Sequence, residues 1–122
     1  MTERIDLTRG SVVWAELGST VGREQSGRRP ALVVASNSYL ATATSLAIIV
    51  PVTTARRGWP NHVLLRGDAI GLAKPSFAMT EQPHTIDRTR IVGVAGQVDR
   101  ATMDEVDVWL RDFLDLTADG AL

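Results

Sequence analysis

Six short apolar runs punctuate the first hundred residues and leave little freedom of fold. They are "SVVWAEL" (11–17), "PALVVAS" (30–36), "SLAIIVPVT" (45–53), "NHVLLR" (61–66), "SFAMTEQ" (76–82) and "RIVGVAGQV" (90–98). Each is rich in Val, Ile or Leu and bounded by Gly, Pro, Asn, Asp or Ser, which marks strands separated by turns. Six strands at this spacing predict a small barrel or a tightly curled sheet. "YLATAT" (39–44) predicts one helical turn between the second and third strands. A single long helix follows, over 99–116. Asp99 is placed to cap it, and Met103, Val106, Leu110, Phe113 and Leu114 recur at helical spacing as an inward stripe. Asp104, Glu105, Asp107, Arg111, Asp112 and Asp115 form the wet side.

With 122 residues, 44% of them hydrophobic and 22% charged, the chain has the content for one core, read here as a single domain over 1–122. Its longest apolar run, "SLAIIVPV" (45–52), is far too short to span a bilayer, and the charged start "MTERID" is no signal peptide. A cytoplasmic protein with no membrane partner is expected. There is no cysteine, and the two histidines, 62 and 84, match no ligand spacing, so neither a metal nor another cofactor is expected. The net charge of −1 hides an uneven distribution. Residues 1–98 hold eleven Lys/Arg against seven Asp/Glu; residues 99–122 hold two against seven. A mildly basic body thus carries an acidic tail, which by itself selects no partner.

Between the first two strands lies a connection of about twelve residues, longer than a hairpin needs. Within "GREQSGRRPALVVASN" (22–37), glycines alternate with Arg23, Glu24, Gln25, Arg28 and Arg29, and then Pro30 opens an apolar strand. Such a loop is suited to closing over a polar ligand.

Taken in order, "RGSVVWAEL", "GREQSGRRPALVVASN", "IIVPVTT", "PNHVLL", "TEQPHTIDRTRI" and the closing amphipathic helix resemble the MazF/PemK family, the toxins of type II toxin–antitoxin modules. The resemblance spans 9–116. It implies a mainly β, SH3-like small barrel of the CcdB/PemK type with a C-terminal helix, a homodimer, and a metal-independent endoribonuclease acting on single-stranded RNA. It also implies a cognate MazE-like antitoxin whose acidic segment covers the RNA site.

The family's catalytic arginine, immediately before the proline of strand two, falls on Arg29, and its catalytic threonine falls on Thr53. The chemistry suits both. RNA is cut without metal when its own 2′-OH attacks the adjacent phosphate, giving a 2′,3′-cyclic phosphate and a 5′-OH. A guanidinium offers bidentate donation to the phosphate oxygens, and a hydroxyl adds a fixed donor. An arginine is a poor base, so Arg29 is read first as an electrostatic stabiliser. Arg28 is its alternative, but adjacent residues of an extended stretch face opposite ways. Thr54 is likewise an alternative to Thr53. Glu24 is a candidate base or an orienting partner of Arg29, and otherwise a solvated loop residue.

The family pattern "LEQIRTIDKxRL" reads "TEQPHTIDRTRI" here, with Pro83 at an apolar position and His84 at an arginine. His84 is therefore a candidate for proton transfer, with a structural role as the alternative. His62 reads as structural. Arg23, Gln25, Arg28, Arg56, Arg57 and Gln82 are candidate RNA contacts, and Trp59 a candidate base-stacking residue, with a core or dimer contact as its alternative. Two other functions fit the same fold: a non-enzymatic CcdB-like toxin that binds DNA gyrase, and an inactive barrel that only binds RNA or antitoxin.

Overall fold

A computed structural model describes residues 5–17 and 27–116. Among them seven strands and two α-helices follow in the order β1 (Ser11–Glu16), β2 (Arg28–Val33), α1 (Asn37–Thr42), β3 (Leu46–Thr53), β4 (His62–Leu64), β5 (Phe77–Met79), β6 (His84–Asp87), β7 (Ile91–Gln97) and α2 (Arg100–Leu114). Every pairing is antiparallel, and the sheet runs β4-β5-β3-β2-β1-β7. Strand β3 is long enough to serve two neighbours on one edge: Leu46–Ile49 pairs with β6, and Val52–Thr53 pairs with β5. The mainly β fold with a C-terminal helix is thus as expected. The strand ladder itself does not close. Instead, residues 66–71 lie against β7 through Gly71 N–H to Ala95 O (2.6 Å) and Asp99 N–H to Arg66 O (2.8 Å). The approach is tight enough that a Cβ on Gly67 would sit 2.5 Å from the Gln97 carbonyl oxygen.

The central strands are apolar on both faces because both faces are covered. On one side Val12, Leu32, Val50, Val52, Val63 and Ala78 pack under Met103 and Val106 of α2. On the other, Val13, Ala15, Ala31, Val33, Ala47, Ile49, Ile86 and Ile91 pack under Leu40 of α1 and the segment carrying Ile5 and Leu7. Helix α2 starts where expected: the Asp99 carboxylate accepts from Thr102 N–H (2.8 Å) and Thr102 Oγ1 (2.6 Å). Those two bonds hold the Asp99 carboxyl below the ordinary aspartate range. The bidentate pair of Arg9 with Asp107 ties the helix to the loop before β1.

Three local differences from the sequence reading have physical causes. The helical turn at α1 begins at Asn37, two residues early, because the Ser36 hydroxyl caps it by accepting from Tyr39 N–H at 3.0 Å. Strand β6, absent from the six runs, forms because main-chain pairing to β3 needs only Ile86 buried; its other residues are exposed. Arg88 then donates to the Leu40 and Leu46 carbonyls (2.8 and 3.0 Å), closing the gap between α1 and β3. Last, the inward stripe of α2 ends early: Met103 and Val106 are buried, but Phe113 and Leu114 are exposed, because the sheet beneath them has run out.

Candidate functional site

The β2–β3 ladder pairs Val33 with Ile49, Leu32 with Val50 and Ala31 with Pro51. Continued by two residues, that register sets Arg29 opposite Thr53. The neighbouring ladders extend the row: Ala15 lies opposite Arg29, Thr53 opposite Phe77, and Phe77 opposite Leu64. Residues directly opposed across antiparallel strands share a face, with Cβ atoms about 5 Å apart. The described ladder ends at Ala31–Pro51, with Arg29 two residues further along β2 and Thr53 two residues further along β3, both at the end of the sheet away from α1.

Arg29 is exposed, in the second position of a strand that starts at Arg28, so Pro30 lies inside the strand. A proline this close to the strand start leaves the arginine before it extended, as expected. Arg28 takes the opposite face and lies 3.9 Å from the Glu16 carboxylate, a solvent-exposed pair of small energetic weight. Thr53 ends β3 half-buried, and its Oγ1 accepts from Ala55 N–H at 3.1 Å. That bond occupies a lone pair and leaves the hydroxyl proton available to a ligand. Thr54 is exposed just beyond the end of β3.

Basic and aromatic groups surround this end of the sheet. The Arg56 guanidinium carbon stands 5.1 Å over the Phe77 ring, directly beside Thr53 in the row. The Arg57 guanidinium lies 5.6 Å over Trp59, which in turn tilts against His62 at 4.8 Å and 58°. Arg56, Arg57 and Trp59 are all exposed. His62 is buried. Its Nε2 meets the Glu81 carboxylate at 3.3 Å. Gln82, exposed in the turn between β5 and β6, donates to the same carboxylate at 3.1 Å.

His84 is not brought to Arg29 and Thr53. It pairs with Ile49, four residues or about 13 Å along β3 from Thr53. Its exposed ring donates through Nδ1 to the Gln82 carbonyl at 3.2 Å. Arg23, Glu24 and Gln25 lie outside the described residues. Among the described residues no three His, Asp or Glu side chains converge as a metal-ligand set. A cavity of about 810 Å³ opens on this face beside α1, between Leu7, Leu40, Thr44 and Ile91. Neither Arg29 nor Thr53 lines it, and two of its charged groups are used within the fold: Arg88 caps α1, and Asp87 accepts from Thr89.

The arrangement offers an exposed guanidinium, a hydroxyl donor and flanking cations on an open surface. Groups of this kind can bind a phosphodiester backbone and stabilise charge that grows on it. Sequence reasoning missed the Glu81 cluster, which only the register of β4 on β5 reveals.

Comparison with known proteins points the same way. Residues 8–114 match the model of a family described as PemK-like, MazF-like toxin of type II toxin–antitoxin system. Endoribonuclease MazF6 of Mycobacterium tuberculosis is 33% identical over 112 residues, covering 90% of this chain and 98% of that protein. Endoribonuclease EndoA of Bacillus subtilis is 35% identical over 108 residues, covering 86% and 91%. A MazE–MazF crystal structure from Deinococcus radiodurans superposes with a TM-score of 0.76 at 26% identity, covering 91% of this chain and 97% of that one.

Proposed function

The chain belongs to the PemK-like, MazF-like toxin family and is a toxin endoribonuclease, and from that premise we propose that Arg29 and Thr53 cut single-stranded RNA without a metal. The observation that supports the reading is the β2–β3 ladder, which ends at Ala31–Pro51 with Arg29 and Thr53 each two residues beyond it.

The 2′-oxygen attacks the adjacent phosphorus, the bond to the 5′-oxygen breaks, and the products are a 2′,3′-cyclic phosphate and a 5′-OH. Arg29 donates to the non-bridging oxygens as their negative charge grows, and the Thr53 hydroxyl adds a further donor. Glu24 accepts the 2′-OH proton or orients Arg29. The leaving 5′-oxygen takes a proton, with Arg29 as a secondary candidate for its delivery. Arg23, Gln25, Arg28, Arg56, Arg57 and Gln82 hold the strand, and Trp59 stacks on a base.

The protein works in the cytoplasm as one toxin domain over its length, and a cognate MazE-like antitoxin covers the groove. It acts as a homodimer. The observation behind the dimer is the outer half of α2, where Val108, Phe113, Leu114 and Leu116 are exposed and the Trp109 and Phe113 rings lie 6.0 Å apart. The test is cleavage of a long single-stranded RNA in excess EDTA, followed by an oligonucleotide bearing a single 2′-deoxy at the mapped cut. Cleavage should survive the chelator and fail on the deoxy substrate. Undiminished cutting of that substrate would rule out internal attack.

A further inference from the structure

Three donors converge on Glu81. Its Oε1 accepts from Asn61 Nδ2 at 2.8 Å, and its Oε2 meets Gln82 Nε2 at 3.1 Å and His62 Nε2 at 3.3 Å. Asn61 and His62 stand at the start of β4, whereas Glu81 and Gln82 stand in the turn after β5. One carboxylate thus ties together two segments beside the Thr53 end of the sheet. Thr80 strengthens the tie by donating to the Asn61 carbonyl at 2.7 Å. Burial alone would raise the Glu81 carboxyl, but its own backbone N–H, Gln82 and His62 outweigh that and hold it below the ordinary glutamate value.

Each part of this cluster carries a cost. The His62 side chain is only 3% exposed, and its Nδ1 is buried with no hydrogen-bond partner. Trp59, resting on that ring, is 50% exposed. A carboxylate beside a groove built for a polyanion repels the ligand. The costs have a common explanation if the cluster holds the indole in a set orientation. Register places His62 opposite Met79, two residues along β5 from Phe77, which is itself opposite Thr53. His62 is thus about 12 Å from Thr53, counting about 7 Å along the strand and about 10 Å across two strand spacings. That is the reach of about a nucleotide or two from the scissile phosphate.

We propose that Glu81 is the positioning residue of a nucleobase platform: through His62 it sets the Trp59 ring on which one base flanking the cut stacks. The exposed Arg57 guanidinium beside the indole extends the platform, since guanidinium planes also stack on bases. Asn61 and Gln82, fixed by the same carboxylate, frame it. The inference rests on the ribonuclease reading and adds to it the group that fixes where a base is held.

The test uses RNA with a 2′-deoxy at the mapped cut, which binds without being cleaved, and with 2-aminopurine placed in turn at each flanking position. With saturating wild-type protein one position should be strongly quenched. The quench should vanish in Trp59→Ala and in Glu81→Ala and return in Glu81→Gln, which keeps the reach. Affinity for the RNA should fall about fivefold to a hundredfold in the first two, the worth of one stacked base. Glu81→Asp keeps the charge and shortens the reach, and serves with the same expected loss where Glu81→Ala does not fold. A quench that survives Glu81→Ala at saturation, whatever happens to its melting temperature, overturns the positioning role. A wild-type protein that cuts RNA but quenches at no position overturns the platform. One that cuts no RNA overturns the ribonuclease reading beneath it.

Discussion

Replacing Arg29 with alanine should separate catalysis from binding, because the fold gives the two adjacent arginines opposite faces. Arg29 and Thr53 each lie two residues beyond the Ala31–Pro51 pair, and the proposal puts both at the reacting phosphate; Arg28 pairs with Glu16 on the other face. Removing a preorganised donor of this kind costs about a hundredfold to a thousandfold in rate, or about 2.7–4 kcal/mol. The Arg28–Glu16 pair is exposed and worth at most about 1 kcal/mol, so Arg28→Ala should change the bound-state rate less than about fivefold. Its effect should appear in affinity, with a shallower salt dependence by about one phosphate contact. Thr53→Val removes the second donor without changing side-chain shape. If both groups act on one phosphate, the losses of Arg29→Ala and Thr53→Val should fail to add in the double variant. Single-turnover cleavage at saturating RNA reads the rate, and binding of the 2′-deoxy analogue reads the affinity. Equal rate losses for Arg28→Ala and Arg29→Ala would show that register does not select the catalytic arginine.

His84→Ala should leave the single-turnover rate within about threefold of wild type and both limbs of its pH profile in place, since about 13 Å separates its strand position from that of Thr53; loss of a limb would restore it to the chemistry. Gly67→Ala should destabilise the protein by about 1–3 kcal/mol in urea unfolding, because its new methyl would press on the Gln97 carbonyl at 2.5 Å; an unchanged midpoint would mean that 66–71 is not held against β7. The Asp99 carboxyl is depressed by its bonds to Thr102, so its contribution is complete above the unfolded value near 3.8 and fades as pH falls through the lower folded value. Asp99→Asn should therefore reduce the acid sensitivity of thermal stability below about pH 4, and an identical acid limb in the variant would assign it to other groups.

Much of the fold was legible because its strands are bounded by residues with a definite turn chemistry, and because α2 announces itself through both cap and stripe. Strand β6 was not, since "HTID" buries only Ile86 and is specified by the free edge of β3 rather than by its own side chains. Nor was the end of the stripe, since the 3.6-residue period continues through Phe113 and Leu114 after the sheet has ended. In the site, Arg29 and Thr53 were found by resemblance, and their opposition could not be read without the β2–β3 register. Glu81 escaped for the same reason. Nineteen and twenty positions separate it from His62 and Asn61, and nothing local in "TEQ" says that a carboxylate will collect both.

The placement of chemistry at one end of one face follows from how this sheet is covered. Helix α2 seals the middle of one face with Met103 and Val106, so the side chains beneath it, Val12, Leu32, Val50 and Val63 among them, must be apolar and small enough to pack. The other face has shorter cover: α1 spans six residues, and with Ile5 and Leu7 it shields Val33, Ala47, Ile49, Ala15 and Ile91, while Arg29 and Thr53 lie outside that cluster near the ends of β2 and β3. Positions under the cover must therefore be apolar, whereas a strand end beyond it can carry Arg29 without burying its charge. The same strands that anchor the core thus deliver the arginine and threonine, and β2 and β3 are fixed by buried residues one or two positions away, Val52 and Ala31 among them. Rigid support of that kind is what a charge-stabilising donor requires, because a guanidinium that must be ordered during the reaction forfeits part of its effect. A cavity at Ala31 or Val33 need not touch RNA to slow cleavage. It would do so by loosening the strand that aims Arg29.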